Sequence, residues 1–226
     1  MSLARKLTLR ITLGPIMAAA MLFLPAGSLR FWQAWIFIAV VFPCGALTWI
    51  YLYKTDPELV KRRLETKEIV PEQKILVRLL KPLFFIGFLI PGLDYRFGWS
   101  RKLGGGVPVW LVVISDVLFL AGFFFVLWVL MTNSYAARTI RVERGQVVVT
   151  SGPYSLVRHP MYLGSIVLLL FTSLALGSYV ALPVFALAIP FYVMRLLNEE
   201  EILRKELPGY EEYCSLTRFR LAPFLW

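Results

Sequence analysis

Between Tyr162 and Met194 the chain runs for 33 residues without a charged side chain. A helix of that length would measure roughly 50 Å at 1.5 Å per residue, well beyond the ~30 Å of hydrocarbon in a bilayer. Gly177-Ser178 lies near the middle of the run, so the spacing predicts two shorter helices joined by a tight turn. Four further apolar runs, about Ile11–Ala26, Phe31–Tyr53, Ile75–Pro91 and Val107–Met131, approach the roughly 20 residues that one span requires. Hydrophobic residues make up 58% of the 226 and charged residues 17%. Soluble domains average about 45–50% apolar and about 25% charged, so the apolar excess faces lipid. The expected fold is an all-α integral membrane protein with about six transmembrane segments, the last two forming a helical hairpin. Arg78 and Lys81 fall in the first turns of the third segment, where they either snorkel to headgroups or mark a later membrane entry.

The basic residues test this topology. With both termini on one side, that side carries 18 of the 24 Lys and Arg, including Arg5, Lys6, Arg10, Arg63, Lys67, Arg138, Arg158, Arg195 and Arg220. The opposite side carries four: Arg30, Arg96, Arg101 and Lys102. This bias predicts an even number of spans with both ends cytoplasmic. The net charge of +10 is then topological, directed at anionic headgroups, and does not point to nucleic acid. Cys44 and Cys214 fall in a span and in the cytoplasmic tail, which argues against a disulfide. The first segment has a basic start but no small-residue cleavage site, so it is read as retained.

Two regions emerge: residues 1–132, with four spans and a cytoplasmic loop at 54–74, and residues 133–226, with the hairpin and a cytoplasmic C-terminal helix. In the loop, Asp56 is placed to cap a short helix that begins at Pro57, and Val60–Glu68 reads as a surface helix. Gly104-Gly105-Gly106 lacks the strand-then-helix setting of a phosphate loop.

Polar chemistry is concentrated between about residues 133 and 215. Thr139–Thr150 alternates around Glu143-Arg144-Gly145-Gln146 and reads as a small hairpin or an extended loop at the membrane surface. It leads into Gly152-Pro153-Tyr154 and then Arg158-His159-Pro160-Met161-Tyr162, where His159 is the only histidine. By residue type alone this is an interfacial anchor, with Arg158 for headgroups and Pro160 starting a helix. A hairpin, however, returns its far end, Arg195 and Asn198-Glu199-Glu200-Glu201, to the membrane face where it began. Basic, aromatic and acidic groups then converge at the edge of the hydrocarbon, where polar groups are costly unless used.

The run Gly152-Pro-Tyr-x-x-x-Arg-His-Pro-x-Tyr-x-Gly164, followed by Arg195-x-x-x-Glu-Glu and Gly209-Tyr-x-x-Tyr213, resembles the isoprenylcysteine carboxyl methyltransferase family and its membrane phospholipid methyltransferase relatives. The resemblance extends over about Asn133–Pro223. It implies a membrane methyltransferase that uses S-adenosylmethionine without a dinucleotide-type domain. Carried over by position, it assigns the cofactor to Gln146, Val147, Val148, Val149, Tyr154, His159, Pro160, Met161, Tyr162 and Glu199. Arg195 takes the place of the substrate arginine, Glu200 that of a second acting carboxylate, and Glu201 leaves the choice of pair open. The Asp56-Pro-Glu-Leu loop and the Arg218-Phe-Arg-Leu tail are similar to those of bacterial relatives, which implies a bacterial inner membrane.

These residue types suit the chemistry. Methyl transfer from a sulfonium is an in-line displacement that needs alignment more than acid–base power. Carboxylates would accept from the cofactor's ammonium and ribose, His159 or Tyr162 would donate to its carboxylate, and Arg195 would orient a carboxylate acceptor. One histidine with no Asp/Glu/His triad offers no metal site. The expected partners are a lipophilic or lipid-modified acceptor and membrane lipids. An acceptor of isoprenylcysteine type is implied, with a phospholipid amine or a small thiol as alternatives. Two other classes stand beside it: an NADPH-dependent lipid reductase, which would show extra cationic contacts for the 2′-phosphate, and a non-catalytic scaffold.

Overall fold

The computed structural model describes residues 2–65, 68, 70–224 and 226. In chain order its helices are α1 (Leu3–Ala26), α2 (Trp32–Thr55), α3 (Pro57–Leu64), α4 (Pro71–Phe97), α5 (Trp99–Gly104), α6 (Val109–Thr132), α7 (Pro160–Ala175), α8 (Ala181–Ala186), α9 (Ala188–Glu206) and α10 (Tyr210–Leu216), with one 3-10 turn at Gly152–Ser155. No strand occurs among the described residues.

Five helical stretches are long and apolar enough to cross a membrane: α1, α2, α4, α6 and the combined α8–α9 at Ala181–Glu206. The remaining expected segment is α7, apolar but only 16 residues long, or roughly 24 Å. The charge-free run does fold back on itself. Gly177 takes φ 69°, a left-handed conformation that favours glycine, and the chain reverses between α7 and α8. Pro190 explains the break at Leu187, since its ring excludes the carbonyl four residues earlier and removes a donor. The sequence places the third segment at Ile75–Pro91, but α4 starts four residues earlier and ends six later because Pro71 opens it and Gly98, at φ 67°, closes it.

The hairpin turn is tied down by a buried polar cluster. Asp94, at the end of α4, accepts from the Ser100 backbone N–H at 2.7 Å, from the Ser100 hydroxyl, and from the Ser178 hydroxyl at 2.5 Å. Ser100 Oγ in turn accepts from Tyr179 N–H at 2.9 Å. All three side chains are buried, so each needs its partners in a region where water cannot substitute.

Close approach of backbones does the rest, because lipid tails give apolar helices no hydrophobic incentive to associate. A Cβ on Gly164 of α7 would lie 2.4 Å from Val126 of α6, and the two helices share the most extensive interhelical contact. A Cβ on Gly92 would lie 2.4 Å from the Leu22 carbonyl oxygen of α1.

At the opposite end from Asp94, Asp56 caps α3 as the sequence predicts, its side chain accepting from Leu59 N–H at 2.9 Å. The helix ends at Leu64, short of the expected Glu68; Thr66 and Lys67 lie outside the described residues. Residues 139–150 take the extended-loop form, with a turn closed by Gln146 N–H on Glu143 O at 3.0 Å.

Gly92→Ala should lower the melting temperature in detergent, because the atom it strikes is backbone and cannot swing aside. Gly45→Ala, with open space within 4 Å, should leave it unchanged.

Candidate active site

A cavity of about 590 Å³ opens at the end of the bundle that holds α3, the loop after α6 and the C-terminal half of α9. This is the size range of small-molecule and cofactor pockets, roughly 300–1,000 Å³.

The hairpin supplies two of its walls. Helix α7 starts at Pro160, and α9 returns antiparallel, so the Tyr162 hydroxyl donates to Glu199 Oε2 at 2.6 Å. Consecutive residues on α9 then point in three directions, as steps of about 100° require. Glu199 faces the cavity, Glu200 turns to the opposite side, and exposed Glu201 pairs with Lys205 at 2.6 Å.

Glu200, expected as a second acting carboxylate, does not line the cavity. Its carboxylate is 4% exposed and held by Arg158 Nε at 2.8 Å, Arg220 Nε at 2.7 Å and Arg204 Nη2 at 3.5 Å. Its charge is thus already matched by three guanidiniums. What it does instead is fasten the tail. Arg158 Nη1 donates to the Thr217 and Arg218 carbonyls at 3.0 and 2.9 Å, and the backbone N–H groups of Arg158 and His159 donate to Phe219 and Arg220 O at 2.9 Å. Residues 217–220 thus brace the Arg158-His159 step from behind.

The other expected residues, Gln146, Val147, Val148, Val149, Tyr154, His159, Pro160, Met161, Tyr162, Arg195 and Glu199, all lie on the cavity wall. Tyr154 receives a hydrogen bond from Asn133 Nδ2 at 2.9 Å, and burial pushes its phenol up to about 12. Gln146 Oε1 already accepts from Glu143 N–H at 2.9 Å, so that oxygen holds the turn. Arg195 does not form the solvated i,i+4 pair of a helix end. It is buried, and its Nη2 donates to Glu68 Oε2 at 3.1 Å and to Arg138 O at 2.6 Å.

Five buried polar atoms of residues on this wall have no hydrogen-bond partner; Arg158 Nε is ion-paired with Glu200, which leaves Thr139 Oγ1, His159 Nε2, Arg195 Nη1 and Tyr210 Oη, four atoms with neither. Burying such groups costs about 1–3 kcal/mol each, so their convergence on one space marks a place for a ligand. They offer donors for a carboxylate, while Glu199 offers an acceptor for an ammonium or hydroxyl. The donor set therefore fits an amino-acid-bearing cofactor such as S-adenosylmethionine.

The sequence confines the chemistry to about 133–215, whereas the wall also includes Arg10, Trp49, Arg63, Glu68, Lys81 and Phe84 from α1 to α4. In the sequence these basic residues are indistinguishable from headgroup anchors, and Glu68 has no motif around it.

Burial lowers the His159 imidazole to about 3, the attraction of Glu200 notwithstanding. The folded ring stays neutral near pH 6, while an unfolded histidine takes up a proton below about 6.5. Stability contributed by this group is therefore present above about pH 6.5 and lost as pH falls from there toward 3. Between pH 7.5 and 5 the melting temperature should fall more steeply in the wild type than in His159→Gln, as measured by thermal scans in detergent.

Residues 110–208 match the family model described as phospholipid methyltransferase. Over 94 residues the chain is 32% identical to Delta(14)-sterol reductase TM7SF2 of Mus musculus, covering 39% of this chain and 22% of that protein. A solved eukaryotic intramembrane Ras methyltransferase, the isoprenylcysteine carboxyl methyltransferase ICMT, is similar with a TM-score of 0.48 at 19% identity. That likeness covers 84% of this chain and 65% of the other. The matched stretch, residues 110–208, carries every motif residue from Gln146 to Glu200 and lies in a multi-pass helical membrane protein.

Proposed function

We propose that this chain transfers a methyl group from S-adenosylmethionine to a lipophilic acceptor at the cytoplasmic face of a membrane. The observation that carries this reading is the set of four unpartnered buried polar atoms facing one cavity beside Glu199. When bound, the cofactor supplies a methyl group activated by its sulfonium. The chain's own residues bind and align. His159, neutral and fixed by the tail behind it, offers a ring nitrogen, and Tyr210 offers its hydroxyl. Glu199 is held in place by the Tyr162 hydroxyl and takes the cationic or hydroxylated part of the cofactor. Val147, Val148 and Val149 provide an extended apolar edge on the same cavity. Arg195 keeps one guanidinium nitrogen unpartnered toward the cavity, where it can orient an anionic acceptor, in the first instance a carboxylate of isoprenylcysteine type. Glu200 positions Arg158 and the tail and takes no part in the reaction.

A second acceptor, a phospholipid amine, is favoured by the pairing of Arg195 with Glu68, which reduces its pull on a carboxylate. The likeness to a sterol reductase raises NADPH as a rival ligand.

Titration calorimetry of the purified protein with S-adenosylmethionine, S-adenosylhomocysteine and NADPH separates these readings. The first two should bind and NADPH should not; binding of NADPH alone would end the methyltransferase reading. His159→Ala and Glu199→Ala should each weaken S-adenosylhomocysteine by about tenfold or more, the scale of one charge-assisted hydrogen bond. Arg195→Ala should instead spare that affinity and suppress labelled-methyl transfer into a lipid extract.

A further inference from the structure

Three arginines that the cofactor reading leaves unused share the cavity wall: Arg10 from α1, Arg63 from α3 and Arg138 from the loop after α6. Among the described residues none of them forms an ion pair with a carboxylate. Arg63 is half-buried, and its guanidinium has one hydrogen bond, from Nη1 to the Ala136 carbonyl at 3.1 Å. Burial and the nearness of Arg138 and Arg10 lower it to about 10, a sign of cations crowded without a counter-charge. Next to Arg138, Thr139 is 7% exposed and its hydroxyl lacks a partner on the same wall. Arginines at a membrane face ordinarily reach outward to headgroups. Here Arg10 and Arg138 are exposed at the rim and Arg63 is half-buried, yet all three line one cavity, and the unpartnered hydroxyl beside them adds a donor suited to an oxyanion.

A second, smaller cavity of about 130 Å³ lies between α2 and α6, lined by Leu52, Phe123 and Leu127 among others. Trp49 and Arg63 line both cavities, so the apolar slot begins where the arginine cluster ends. A cationic head site that runs into an apolar slot between spans has the form of an anionic lipid.

We propose that Arg10, Arg63 and Arg138, with Thr139, bind the phosphate of a membrane lipid whose chain enters the slot between α2 and α6. That this lipid is the methyl acceptor rests on the methyltransferase reading; the phosphate site itself does not. Guanidinium suits phosphate because its planar fork of donors matches the oxygen spacing.

The test measures binding of dihexanoyl phosphatidic acid, dihexanoylglycerol and inorganic phosphate to the full chain in neutral detergent. S-adenosylhomocysteine affinity is measured alongside as a check on folding. Phosphatidic acid should bind at least about tenfold more tightly than dihexanoylglycerol, and inorganic phosphate should compete for it only weakly. Arg63→Gln and Arg138→Gln should each cost about tenfold in phosphatidic acid affinity while S-adenosylhomocysteine still binds. Arg10→Gln, on the exposed rim, should weaken the same lipid with the least risk to folding. Equal affinity for the lipid with and without phosphate overturns the proposal, as does phosphatidic acid affinity unchanged in all three variants. Inorganic phosphate that binds as tightly as the lipid, or NADPH bound through the same arginines with phosphatidic acid excluded, overturns the lipid assignment. Failure of the wild type to bind S-adenosylhomocysteine, with phosphatidic acid bound through these arginines, would remove the methyltransferase reading and leave the phosphate site standing.

Discussion

A buried carboxylate among three guanidiniums is the interaction on which the working end of this protein depends. Glu200 draws Arg158 from the start of α7, Arg204 from its own helix and Arg220 from the tail to one point. Away from water such charges attract strongly, yet each costs several kcal/mol to desolvate, so the cluster persists only because every member has partners. Arg158 Nη1 donates to the Thr217 and Arg218 carbonyls, which fixes the chain direction at His159. His159 can therefore face the cavity with one nitrogen unpartnered, since its position is set by backbone on the other side.

The second requirement is that α9 return to the place where α7 began. This is decided at the far end of the bundle. Asp94 gathers Ser100 and Ser178 and so holds the turn at Gly177-Ser178 against the end of α4. Gly164 and Gly92 then let neighbouring backbones approach closely enough for dispersion to hold apolar helices together in lipid. The polar cluster at one end thus sets the register that brings Tyr162 within 2.6 Å of Glu199 at the other.

Charge distribution over the cavity divides it in function. Glu199 and the unpartnered atoms of His159, Arg195 and Tyr210 lie toward the hairpin, where they suit a zwitterionic ligand. Arg10 and Arg63, from the first half of the chain, and Arg138, from the loop after α6, pair with no carboxylate among the described residues. A two-substrate reaction needs such a division, since each substrate must be recognised by groups the other does not occupy.

Much of this was legible in the residues alone. Runs of apolar residues can be satisfied only as helices in lipid, so the span positions and the hairpin at Gly177 follow from length and punctuation. The motif residues from Gln146 to Glu199 reach the cavity because helix periodicity and a tight turn leave few alternatives. The role of Glu200 was not legible, because its partners Arg158 and Arg220 are 42 and 20 residues away and nothing in the sequence says which carboxylate they choose. Nor were Arg10, Arg63 and Glu68, which look like ordinary membrane-flanking charges until α1, α3 and α4 bring them to one wall. Hydrophobic burial and helix geometry are properties of neighbouring residues, so the sequence by itself determined the class, the apolar helices and the hairpin. Pairing of charges depends on distances between remote segments, so only the tertiary structure decided which acid faces the cavity, which braces it and where the spare cations gather.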